Sequence, residues 1–261
     1  MTDVAPSDSL RELYERRGDE EYSEPVVPDP DVDRKFAVIV EEIGALLPVD
    51  SYLDAGCGDG RFLAALPALG RVPRRVVGVD IADSILATAR LAAAAAGVDA
   101  ELVRGNLERL PLADREFDLV VSIQVLEHLL DPAAGVNELS RVLRPGGTLL
   151  LSTDNRWNVL TRTLNAPRWM LAGLAGRRNS RVRIRFPHRT FSRRHVYELL
   201  REAGLVAERS RTFRFSLVGS SPRLRRRLTS IDRRLPDIGL GDILLVVARR
   251  PDDAGSPETT L

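Results

Sequence analysis

The chain has 261 residues, of which 44% are hydrophobic and 29% charged, a balance that suits one large α/β domain or one domain with decorations. No run of 18 apolar residues is free of charge, so no transmembrane helix is expected, and the acidic N-terminus lacks the apolar core of a signal peptide. The single cysteine excludes an internal disulfide, and a reducing cytoplasm is the default compartment.

The formal net charge of +1 hides an asymmetry. Residues 1–140 carry 13 Lys+Arg against 27 Asp+Glu, whereas residues 141–235 carry 23 Arg against 5 acids. Coding bias accounts for arginine outnumbering lysine 37 to 1, but not for the scarcity of acids in that later stretch. The two parts therefore attract different partners.

In chain order, residues 1–32 are polar and proline-bearing and read as a flexible arm, with a short helix expected at 9–17. Residues 33–47 place Phe36, Ile39, Val40, Ile43 and Leu47 on one helical stripe. "SYLDAG" reads as a buried strand, and "DGRFLAALPALG" as a helix ending near Pro67. "RRVVGVD" is a second strand. "DSILATARLAAAAAG" is a helix with Asp83 as its expected N-cap and Gly97 beyond its end. "AELVRGN" and the almost wholly apolar "FDLVVSI" are the third and fourth strands. "DPAAGVNELSRVLRPGG" reads as a helix running to its Pro-Gly-Gly stop, followed by "TLLLST" as a fifth strand. "TFSRRHVYELLREAGL" is a helix capped by Ser192. "AERSRTFRFSLV" and "GDILLVVARR" are two last strands, flanking a basic helical insertion at about 220–238. Residues 251–261 read as a disordered tail.

Alternating strands and helices at this spacing imply a Rossmann-like sheet of seven strands, mostly parallel, with helices on both faces and an antiparallel last strand. In such sheets ligands bind beyond the carboxyl ends of the strands. Gly56, Gly58 and Gly60, then Asp80, Asn106 and Gln124, all fall at such ends. Glycine at a strand-to-helix turn permits positive φ and lets a ligand touch the backbone. A carboxylate at Asp80 is placed to accept from both hydroxyls of a ribose.

Dinucleotide sites carry G-x-G-x-x-G, whereas this chain carries D-x-G-x-G-x-G. That pattern resembles the class I S-adenosylmethionine-dependent methyltransferases. So do Asp80, "GNLERLPL", "FDLVVSIQVLEHLLDP" and "LRPGGTLLLST", in their order and spacing. The resemblance covers about 33–153, with a fainter trace to residue 250, and leans toward the small-molecule enzymes that include those of quinone biosynthesis. It implies a methyltransferase domain at 33–250 with S-adenosyl-L-methionine as cofactor. By that resemblance Asp54, Ala55, Gly56 and Gly58 line the methionine part, Asp80 holds the ribose, and Ile81 packs on the adenine. Asn106 and Leu107 sit at the adenine edge, and Ser122 and Gln124 near the reacting sulfonium. Asn106 departs from the usual Asp, but an amide still accepts a hydrogen bond from an amino group.

The reaction implied is methyl transfer to a small-molecule acceptor, at oxygen in the first instance; N- or C-methylation, including that of RNA bases, and a non-catalytic cofactor-binding module are the alternatives. A hydroxyl acceptor benefits from a base. His128 follows the fourth strand and either takes that proton or shapes the pocket. His188, in "FPHRTF", opens the last crossover helix and is the second candidate. His195 reads as a surface residue and Cys57 as a small motif residue. Glu127 and His128 supply two metal ligands without a third, so no metal is expected. The arginine-rich insertion at about 153–187 is read as a lid admitting a small or lipid-like acceptor. Peripheral membrane contact through the basic C-terminal half is the second reading. Few aromatics interleave with the arginines, which argues against nucleic acid.

Overall fold

The computed structural model describes residues 11–12, 14–16, 33–158, 189–213, 237 and 239–253. Its elements are α1 (Arg34–Leu46), β1 (Ser51–Ala55), α2 (Arg61–Ala65), β2 (Arg75–Asp80), α3 (Asp83–Ala95), β3 (Ala100–Arg104), β4 (Phe117–Ile123), α4 (Pro132–Val142), β5 (Leu143–Asp154), α5 (Arg193–Glu202), β6 (Val206–Phe213) and β7 (Ile243–Arg249). His188, most of the insertion at 153–187 and nearly all of that at 220–238 lie outside the described residues.

The seven strands form one sheet in the order β3-β2-β1-β4-β5-β7-β6. β1 to β5 pair in parallel, and β7 runs antiparallel to both β5 and β6. Period-two alternation distributes each strand's side chains between two cores. Leu53, Val77, Val120 and Leu149 face α4 and α5, packing with Val136, Leu139, Val196 and Leu200. Tyr52, Val76, Leu119, Val121 and Leu150 face α1, α2 and α3, packing with Ile39, Ile43, Leu63 and Ala89. Both faces are covered, as the near-continuous apolar strands require.

The caps account for where most helices begin. Asp33 accepts from the Phe36 N–H, Asp131 from those of Ala133 and Ala134, and Ser192 from that of His195. Two boundaries differ from expectation. α4 ends at Val142 rather than running to the Pro-Gly-Gly stop, and β5 starts at Leu143, which pairs with Phe117. Pro145 disfavours helical backbone at Arg144, and Gly146 takes φ 74°, so the chain is extended before the glycines. Asp83 is not a cap. It is the first helical residue, the N-cap position is Ala82, and a carboxylate from the N-terminal segment supplies the missing acceptor.

Candidate active site

The chain order reverses direction between β1 and β4, and the loops after these strands diverge to leave a cleft of about 330 Å³. Its floor is the glycine loop. The N–H groups of Gly56 and Cys57 both donate to the Val79 carbonyl, at 2.7 and 2.9 Å, which ties the loop to β2. Gly56, Gly58 and Gly60 have φ of 84°, 54° and 77°. A Cβ on Gly60 would meet the Ala89 backbone at 2.8 Å, so that glycine is needed for packing on α3. A Cβ on Gly58 would meet nothing within 4 Å. Gly58 therefore has open space above its backbone, and its positive φ is what favours glycine there.

Asp80 closes one side. Its Oδ2 accepts from the Gly58 N–H at 3.0 Å and its Oδ1 from the Ala82 N–H at 3.3 Å. Burial raises its carboxyl above the ordinary value, although three backbone hydrogen bonds oppose the shift. Beneath the loop, Asp54 is buried with no hydrogen-bond partner for either oxygen among the described residues. Burial, and then the charges of Asp80 and Asp59, push it up to about 8. Asp59 is neutralised locally by Arg61 at 2.6 Å. Burial likewise pushes the Cys57 thiol well up, which suits a packed motif residue and not a nucleophile.

The opposite wall comes from the end of β4. Gln124 has φ 58°, uncommon for a residue with a side chain, and its N–H donates to the Ser152 carbonyl at 3.0 Å. The turn that follows brings Glu127 and His128 to the cleft. Glu127 is 1% exposed, and its Oε2 accepts from the Thr153 hydroxyl at 2.9 Å. Burial, reinforced by Asp154 and opposed by Lys35, lifts its carboxyl to about 8. The Asn106 Oδ1 accepts from the Glu108 N–H at 2.9 Å, which folds the loop after β3 into an Asx turn.

Of the residues singled out from sequence, Gly56, Gly58, Asp80, Ile81, Asn106, Leu107, Gln124 and His128 line this one cleft. Asp54, Ala55 and Ser122 lie buried in the strands that support it. Sequence reading did not assign Tyr14, Lys35, Phe62 or Asp154, which also line it. Lys35 carried a signal, as the chain's one lysine; Tyr14 sat in a segment read as an arm. Among the described residues, no three His, Cys, Asp or Glu side chains gather to hold a metal ion.

The site fits a cationic nucleoside. Open space over a bare glycine admits a ligand to the backbone, Asp80 offers paired oxygens, and unpartnered Asp54 lies beneath. With Asp59 paired to Arg61 and Glu127 raised to about 8, Asp80 and Asp154 face Lys35 along the cleft, a balance that suits a positive charge on the ligand.

Comparison with known proteins agrees. Residues 53–151 match the family described as Methyltransferase domain. A protein of Mycolicibacterium smegmatis named "Probable S-adenosylmethionine-dependent methyltransferase" is 39% identical over 123 residues, 47% of this chain and 45% of its own length. A ubiquinone biosynthesis O-methyltransferase of Hahella chejuensis is 38% identical over 113 residues, 43% of this chain and 46% of its own. The chain thus spans just under half the length of these curated relatives. Two crystal structures share the fold: an S-adenosylmethionine-dependent methyltransferase from Mesorhizobium loti and one from Aquifex aeolicus. The first has a TM-score of 0.55 at 23% identity, covering 80% of this chain and 96% of its own. The second has a TM-score of 0.55 at 15% identity, covering 95% and 100%.

Proposed function

We propose that the chain, whose residues 53–151 match the family described as Methyltransferase domain, transfers a methyl group from S-adenosylmethionine to a small-molecule acceptor, at oxygen. The observation that carries this reading is the pairing of the open Gly58 backbone with the Asp80 carboxylate at the switch point of the sheet. Oxygen is favoured by the ubiquinone O-methyltransferases among the relatives.

When bound, the cofactor supplies an electrophilic methyl group that needs no further activation. The chain's task is then to bind, orient and handle one proton. Asp80 would take the ribose hydroxyls. Gly56 and Gly58 would offer main chain to the methionine part, with Asp54 and Ala55 supporting them. Ile81, Asn106 and Leu107 would bound the adenine. Ser122 and Gln124, at the end of β4, would set the position of the reacting sulfur against the acceptor.

His128 lines the cleft beside Glu127 and is the residue proposed to take the acceptor's proton. His188 is proposed as a second acceptor contact. Incubating cell extract with isotope-labelled methyl donor and the pure protein, followed by mass spectrometry, identifies the acceptor. Label appearing only in RNA or in protein would contradict the small-molecule assignment.

A further inference from the structure

We infer that the helical residues at 11–12 and 14–16 belong to a wall of the cleft, with Glu15 as the positioning residue that docks them and Tyr14 as the side chain presented beside His128. The inference rests on the reading of the cleft as a nucleoside site.

α3 begins without a cap of its own. Its N-cap position is Ala82, whose side chain accepts nothing, so the first amides of the helix lack a local partner. Glu15 supplies one from 68 positions earlier in the chain. Its Oε1 accepts from the Asp83 N–H at 2.8 Å. Its Oε2 accepts from the Ser84 N–H at 3.0 Å and from the Ser84 hydroxyl at 2.9 Å. The same hydroxyl lies 3.0 Å from the Glu15 carbonyl oxygen. One carboxylate thus meets the adjacent N–H groups at the positive end of a helix. Burial raises the Glu15 carboxyl, but hydrogen bonds from Ser84 and Asp83 and the charge of Arg11 outweigh it and hold the group below its ordinary value.

The docking point matters for the site. α3 starts three residues beyond Asp80, so the segment is tied to the wall that carries the carboxylate at the nucleoside end. The neighbouring Tyr14 lines the cleft and meets His128 edge-on, with ring centroids 6.3 Å apart and planes at 75°. One short segment is therefore anchored at the start of α3 by Glu15 and reaches into the cleft beside His128 through Tyr14. A ligand beneath it leaves faster when the segment is undocked. If Glu15 served only to stabilise α3, its loss would lower thermal stability and leave ligand release unchanged.

The test uses the full chain and two readouts. Limited trypsin digestion follows cleavage after Arg11 and Arg16. Stopped-flow fluorescence follows release of S-adenosylhomocysteine. Glu15→Ala is expected to speed both cleavage and release by at least about fivefold, the size of a lost cap. Glu15→Gln keeps one acceptor oxygen and is expected to fall between wild type and Glu15→Ala. Tyr14→Ala is expected to speed release, and Tyr14→Phe to leave it near wild type. Cleavage of Glu15→Ala at the wild-type rate would overturn the docking. Faster cleavage with unchanged release would overturn the role in the cleft while leaving the cofactor reading standing. A wild-type chain that binds no S-adenosylhomocysteine would overturn the cofactor reading and this inference together.

Discussion

The Asp80 carboxylate, at the end of β2, accepts a hydrogen bond from the Gly58 N–H of the loop that follows β1, at 3.0 Å. One side chain thus holds the glycine loop and faces the ligand space. Asp80→Ala is expected to weaken S-adenosylmethionine binding about 100-fold, the loss of roughly 3 kcal/mol of charge-assisted hydrogen bonding. Asp80→Asn retains an acceptor for Gly58 and is expected to lose less. Titration calorimetry of the three proteins measures this.

The glycines separate a packing role from a binding role. Gly60→Ala sets a Cβ 2.8 Å from the Ala89 backbone at φ 77°, and is expected to destabilise the fold by about 3 kcal/mol. Gly58→Ala meets nothing in the protein and should cost about 1 kcal/mol for its left-handed backbone. Its methyl would, however, stand in the ligand space. Denaturant melts together with binding assays are expected to show Gly60→Ala as the stability mutant and Gly58→Ala as the binding mutant.

Asp54 ties stability to pH. Its folded-state carboxyl titrates at about 8, and unfolding returns it to the ordinary carboxylate range near 4. Below that range both states hold the proton. Between there and about 8 only the folded chain holds it, so unfolding releases it and stability falls as pH rises. Above about 8 this contribution is flat. Asp54→Asn removes the titration and is expected to reduce the fall in Tm between pH 5 and pH 8. Glu127, also raised to about 8, leaves a residual slope in that variant.

His128 is expected to act on turnover and not on cofactor binding. His128→Ala should lower kcat by about 100-fold or more, the usual size of a lost general base, with the S-adenosylmethionine Kd unchanged. Glu127→Gln is the control, because it keeps an acceptor for the Thr153 hydroxyl while removing a neighbouring carboxyl that titrates at about 8.

The sheet and the cofactor end were legible in the sequence because both rest on local signals. Apolar runs of strand length marked β1, β2, β4 and β5, and D-x-G-x-G-x-G followed by Asp80 located the cleft. The other end was less legible because it is assembled from distant elements. Lys35 on α1, Asp154 at the end of β5 and Tyr14 converge there through the fold, and no spacing links them. The cap of α3 misled for the same reason: Asp83 was the natural local choice, yet the acceptor comes from Glu15. Likewise the glycines of "LRPGG" suggested a helix stop, while Leu143 was already paired to Phe117.

The central claim is that the open glycine loop and Asp80 hold a sulfur-bearing nucleoside. Calorimetric titration of the wild-type chain with S-adenosylmethionine and, separately, with NAD tests it most directly. The account predicts one-site binding of S-adenosylmethionine that weakens about 100-fold in Asp80→Ala, and no binding of NAD. Binding of NAD alone, or equal affinity of wild type and Asp80→Ala for S-adenosylmethionine, would contradict it.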